Sequence, residues 1–148
     1  TFPQAMRGRS LEFSFSGLKT SVAQHLAKHG QPADEKALRD LAAGVQHAIV
    51  ETLVRKLLLA AQLEGVPRVV LGGGVAANRG LRARAAEACA RAGVTLVVPP
   101  TRACTDNAAM IAYAGAVSLR RGHLDGAALD ARATWPVDAA HPHAAPAR

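Results

Sequence analysis

The sequence predicts an α/β fold with the element order α-α-β-α-β-α, and three observations carry that expectation. One long stretch holds apolar residues at threes and fours, two short β-branched runs flank a further helical stretch, and three consecutive glycines follow the first of those runs. Strand, helix, strand with short connections is a βαβ crossover, which joins parallel strands. With 148 residues, 49% of them hydrophobic, the chain has the material for a packed core rather than a disordered or low-complexity segment.

Each element follows from local chemistry. Leu11-Glu12-Phe13-Ser14-Phe15-Ser16 alternates and reads as a short extended segment. Ser16 is placed to cap a helix in which Leu18, Val22 and Leu26 recur at a spacing of four, until Gly30 and Pro32 end the pattern. Asp34 is placed to cap the next, where Leu38, Leu41, Val45, Ile49, Leu53 and Leu57 mark one face until Gly65 and Pro67 stop it. Continuous from Glu35 to Glu64, that helix would be roughly 45 Å long at 1.5 Å per residue, with Gly44 as the place for a bend.

Arg68-Val69-Val70-Leu71 has no polar alternation, which predicts a strand buried on both faces and running into Gly72-Gly73-Gly74. Asn78 opens a helix through Leu81, Ala85, Ala88, Cys89 and Ala92, closed by Gly93. Val94 to Val98 then predicts a second buried strand, halted by Pro99-Pro100. Thr105-Asp106-Asn107 leads into a helix of small residues through Met110, Ile111, Ala114 and Val117 to Gly122. Residues 1–136 are expected to form the folded part and residues 137–148, rich in Ala, His and Pro, a disordered tail.

Two parallel strands among four helices leave exposed sheet edges, an arrangement rare in a stable domain. Upstream strands are therefore expected to complete the sheet. A first residue Thr1, with the first Met at Met6, gives the same expectation of a piece of a longer protein. No apolar run approaches the roughly 18 residues that cross a bilayer. Two cysteines are too few to staple a secreted scaffold, so a reducing, cytoplasmic setting is the default, with no membrane partner.

Eighteen Lys and Arg against 11 Asp and Glu give a net charge of +7. Arg79, Arg82, Arg84 and Arg91 face only Glu87 on one helix, and Arg7, Arg9 and Lys19 cluster near the front. Such a face attracts nucleic acid by neutralising phosphates, yet aromatics are only 3% of the chain and offer few stacking platforms, so charge alone supports RNA binding weakly.

Gly72 to Asn78 carries the strongest chemical signal. Glycines at the carboxyl end of a parallel strand let the backbone approach a ligand, and the amides there favour phosphate or another anion; a tight turn with no ligand is the plainer reading. Asn78 is either a helix N-cap or a hydrogen-bonding group for a ligand. Asp106 is the only acid between Glu87 and Asp125, and it either binds a cation or serves the following helix as cap or dipole complement. His25 and His29, spaced i, i+4, read as surface histidines rather than metal ligands, and His141 and His143 lie in the tail. Cys104 reads as a small buried residue, because no His is placed by sequence to activate it.

Three segments in order sharpen this reading: Phe13-Ser-Phe-Ser-Gly-Leu-Lys-Thr20, Gly73-Gly-Val-Ala-Ala-Asn78, and Cys104-Thr-Asp-Asn-Ala-Ala-Met-Ile-Ala112. Together they resemble the TsaD/Gcp family of tRNA threonylcarbamoyladenosine transferases. The likeness covers roughly residues 1–136, including Arg132-Ala-Thr-Trp-Pro136 near its end. It implies the C-terminal portion of an ASKHA-type protein, actin-like, with two RNase H-like lobes and the ligand between them.

The implied activity is transfer of a threonylcarbamoyl group from threonylcarbamoyl-AMP to the exocyclic amine of the adenosine adjacent to the anticodon of tRNA. By motif match Asn78 resembles the family's nucleotide-contacting Asn, Gly73 and Gly74 its phosphate-side backbone, and Asp106 the carboxylate ligand of one divalent metal, Fe(2+). The family's H-x-x-x-H metal ligands and its Ser-Gly-Gly-His loop belong to an earlier portion and are not found here. His25 and His29 have the spacing but follow the wrong motif, so the metal role is not carried to them. The resemblance therefore implies metal ligands outside this chain, a segment inactive alone, and TsaB-like and TsaE-like protein partners. Two alternatives stand beside it: an ASKHA-type small-molecule kinase, and a non-catalytic module that binds RNA or a partner protein.

Overall fold

The computed structural model describes residues 2–3, 10–124, 126 and 133–134. Two compact units divide the chain, Thr1–Thr105 and Asp106–Arg148. The expected tail at residues 137–148 lies outside the described residues, as do Arg7, Arg9, His141 and His143.

The first unit contains helices α1 (Ser16–His29), α2 (Glu35–Glu64) and α3 (Arg79–Arg91) and strands β1 (Arg68–Val70) and β2 (Thr95–Val97). Helix α1 starts one residue earlier than its expected cap allows. Phe15 occupies the N-cap without a side-chain bond, Ser16 is the first helical residue, and its hydroxyl lies 2.9 Å from that of Ser14. Leu11–Phe15, expected to be extended, has no regular secondary structure.

Helix α2 runs unbroken for 30 residues. Asp34 caps it as expected, its side chain accepting from the Ala37 amide at 2.7 Å, a contact of a kind worth about 1 kcal/mol. Gly65 closes it with φ 61°, the left-handed geometry that glycine adopts without penalty. On its outer face, Lys36–Asp40 and Arg39–Glu35 pair at i, i+4; the buried Thr52 turns its hydroxyl back onto the Ala48 carbonyl.

The two strands pair in parallel, Arg68 with Thr95, Val69 with Leu96 and Val70 with Val97. Burial on both faces does not hold. Val69 and Leu96 turn toward the helices, whereas Val70 is 67% and Val97 43% exposed. Helices α2 and α3 cover one face, and among the described residues the sheet has two strands. The core is the cluster of Val50 and Val54 from α2 with Leu81, Ala85 and Ala88 from α3, joined by Leu53, Leu57, Leu58, Leu71 and Leu96. Fully burying a Val or Leu side chain contributes about 1.5–3 kcal/mol, so this α2–α3 seam holds the unit together.

The second unit contributes α4 (Ala108–Arg120), capped by Asn107, whose side chain accepts from the Met110 amide at 3.1 Å. Met110, Ile111, Tyr113 and Leu119 of α4 are exposed. Among the described residues no helix is long and apolar enough to cross a membrane.

Candidate functional site: the glycine turn after β1

Leu71 extends the ladder by one bond, its amide donating to the Val97 carbonyl at 2.9 Å, and the chain then leaves the sheet through Gly72 and Gly73. Gly73 takes φ 82° and ψ 172°, a conformation closed to residues with a β-carbon. Gly74–Ala77 then forms a single 3-10 turn, which the sequence did not signal, with Ala76 donating to Gly73 and Asn78 to Val75, each at 3.0 Å. The amides of Gly73 and Gly74 open that turn, where helical geometry supplies no acceptor.

Asn78 ends the turn and begins α3. Its Oδ1 accepts from the Leu81 amide at 2.9 Å, and its Nδ2 donates to Oε1 of Gln46 on α2 at 3.0 Å. The capping role is thus filled. A side-chain amide has two acceptor lone pairs and two N–H groups, so each end of Asn78 keeps one capacity for a further partner. Gly80 leaves room for this arrangement: a β-carbon there would stand 3.2 Å from Oδ1 of Asn78 and 3.3 Å from Nε2 of Gln46, close enough to press on both. Neither Gln46 nor Gly80 could be singled out from sequence, since Gln46 lies 32 residues from its partner and bears no motif.

Two of the three ordered motifs share a cavity. A groove of about 550 Å³ is lined by Phe13 and Phe15 from the first and by Gly72, Val75 and Ala76 at the turn, with Lys56 in its wall. Lys56 is 2% exposed and donates from Nζ to the Ser10 carbonyl, which ties the segment before α1 to α2. A lysine at helical spacing on an otherwise apolar face was the available signal for this buried ammonium.

The basic face of α3 is less basic than its sequence. Arg84 meets Glu51 of α2 through two bonds, Nε to Oε1 at 2.5 Å and Nη2 to Oε2 at 3.1 Å, and Arg91 pairs with Glu87 at 2.9 Å. Hydrogen bonding from Arg84 holds the Glu51 carboxyl below its usual range, and the Arg84 guanidinium is raised by the same pair. Cys89 and Cys104 are both free and buried, and burial pushes the Cys89 thiol up. His25 and His29 are exposed on α1 with ring centroids 4.7 Å apart.

Asp106 belongs to the second unit. It is exposed, and the cap of α4 is its neighbour Asn107, so the capping role open to Asp106 in the sequence goes to the next residue. A single exposed carboxylate offers a hard oxygen donor to a cation, but not the set of ligands a bound metal requires. Among the described residues no three His, Cys, Asp or Glu side chains gather as a metal-holding group.

A parallel βαβ unit whose crossover begins in a glycine turn makes this a protein of the α/β class. A profile of the family described as "TsaD: tRNA N6-adenosine threonylcarbamoyltransferase" matches residues 1–113. The chain belongs to the TsaD family. Proteins named tRNA N6-adenosine threonylcarbamoyltransferase are similar to it in Sorangium cellulosum (61% identity over 119 residues, 80% of this chain and 33% of the relative). Others of that name occur in Syntrophus aciditrophicus (47% over 139 residues, 94% and 41%) and Anaeromyxobacter dehalogenans (51% over 136 residues, 90% and 40%). The chain thus spans between a third and about two fifths of the length of these relatives.

Proposed function

We propose that this chain supplies one wall of the adenylate site in a transferase that places a threonylcarbamoyl group on tRNA. The observation that carries the reading is the turn from Gly73 to Asn78 at the carboxyl end of β1, in a chain of the TsaD family. In this reading the Gly73 and Gly74 amides receive the phosphate of threonylcarbamoyl-AMP, and the remaining N–H and lone pair of Asn78 orient the nucleotide.

The donor is a mixed carbamic–phosphoric anhydride. The exocyclic amine of the adenosine adjacent to the anticodon attacks the carbamoyl carbon, the carbon–oxygen bond to phosphate breaks, and AMP departs with that electron pair as the amine gives up a proton. Negative charge gathers first on the carbamoyl oxygen and then on the phosphate. Fixed amide donors stabilise the phosphate charge without reorganising, and holding tRNA beside the adenylate supplies proximity. Asp106 is proposed as one ligand of a divalent metal, Fe(2+), whose other ligands lie outside this chain; these residues alone do not make that site, and no step is assigned to it. TsaB-like and TsaE-like proteins are the proposed partners, the cytoplasm the proposed setting, and the chain by itself is proposed to be inactive.

The test is a chimera in which this chain replaces the matching residues of the Sorangium cellulosum relative. Incorporation of label from threonylcarbamoyl-AMP into tRNA by the chimera, with none by the chain alone, is the expected result. ATP-dependent phosphorylation of a small substrate without tRNA labelling would favour the kinase reading, and tRNA binding without adenylate affinity the non-catalytic one.

A further inference from the structure

Arg82 stands in the first turn of α3, and its guanidinium joins two loops that leave the carboxyl ends of neighbouring strands. Its Nε donates to the carbonyl of Ala76 in the glycine turn at 2.5 Å. Its Nη2 donates to the carbonyl of Pro99 and to Sγ of Cys104, each at 3.0 Å, in the loop that follows β2. Ala76 is 0% and Cys104 3% exposed, while Arg82 itself is half-buried, so the contacts are partly shielded from water. A guanidinium is planar and presents its donors in a fixed fork, so acceptors bound to it from two segments are held at a set separation.

We propose that Arg82 is a positioning residue that clamps the glycine turn to the Pro99–Cys104 loop. The clamp stands on the loop geometry itself; its consequence for the adenylate rests on the reading above. Lysine cannot replace it, because an ammonium is a point charge on a flexible stem and does not bridge two loops as a fork does. Removing the fork leaves the Ala76 and Pro99 carbonyls without their charged donor and frees the loop to open locally.

Cys104 reports that opening, and Cys89 in the core face of α3 serves as an internal control. The rates at which N-ethylmaleimide modifies each cysteine are measured by peptide mass spectrometry in wild type, Arg82→Lys and Arg82→Gln. The expected result is a Cys104 rate raised roughly tenfold or more in both variants, in keeping with loss of charged hydrogen bonds, while Cys89 stays unchanged. A Cys104 rate within about twofold of wild type, or a parallel rise at both cysteines, overturns the clamp. AMP titration of the chimera carrying Arg82→Lys separates the two levels: weaker AMP binding supports the link to the site, and unchanged AMP affinity with a released Cys104 overturns that link. Wild-type chimera that binds no AMP sinks the adenylate reading, and the thiol rates still decide the clamp.

Discussion

Nδ2 of Asn78 donates to Oε1 of Gln46 at 3.0 Å, which ties the end of the glycine turn to the middle of α2. The same amide caps α3 through the Leu81 amide at 2.9 Å. One side chain therefore fixes the turn against two helices while keeping spare hydrogen-bonding capacity, so substitutions there can test stability and the proposed ligand role separately.

Asn78→Ala removes cap and tie together and is expected to cost about 1–2 kcal/mol, read as a lower Tm. Asn78→Asp keeps the acceptor for Leu81 but loses the donor to Gln46 and adds a negative charge beside the turn. Its expected behaviour is a Tm close to wild type with AMP affinity in the chimera reduced at least tenfold. Equal AMP affinity in wild type and Asn78→Asp would exclude Asn78 and the turn from anion recognition.

Gly73→Ala tests the turn from the backbone side. Nothing lies within 4 Å of a β-carbon there, so the cost comes from holding φ 82° and ψ 172° rather than from a clash. About 1–3 kcal/mol is expected, with loss of AMP binding as the turn relaxes. Calorimetric unfolding and an AMP titration measure the two effects, and a neutral outcome in both would mean that the turn conformation is not used.

Acid sensitivity should trace to Glu51 and Arg84. The Glu51 carboxyl lies below its ordinary value of 4.5, with hydrogen bonding from Arg84 as the main cause. A carboxylate with a lowered folded pKa contributes stability in full above the unfolded value, and loses it as pH falls through the folded one. Stability is therefore expected to fall below about pH 4.5 with a component that Glu51→Gln abolishes. At neutral pH that variant is expected to cost about 1 kcal/mol or slightly more, since the pair is bidentate and only partly exposed. Urea titrations of both proteins at pH 7 and pH 4 provide the comparison; identical pH slopes would remove the pair from acid unfolding.

Asp106→Ala should leave stability within about 0.5 kcal/mol of wild type, because the residue is exposed and Asn107 caps α4. In the chimera the same change is expected to lower bound metal, measured by elemental analysis, and to abolish transfer to tRNA. Stoichiometric metal with normal transfer would refute the role proposed for this carboxylate.

Sequence alone determined the elements whose causes are local. Asp34 and Gly65 bracket α2 because a carboxylate can reach an amide three residues on and glycine can turn left-handed, and the Asn78 cap, the Gly93 turn and the parallel pairing of two β-branched runs follow from equally short-range chemistry. Three ordered motifs also sufficed for the family. Only the tertiary structure decided what depends on distant partners: that Gln46 holds Asn78, that Glu51 neutralises Arg84, that Arg82 bridges two loops, and that Val70 and Val97 face outward. Those contacts join residues from 6 to 33 positions apart on different elements, and neither periodicity nor capping rules carry that information, because such contacts are set by packing of the whole chain rather than by the residues beside them.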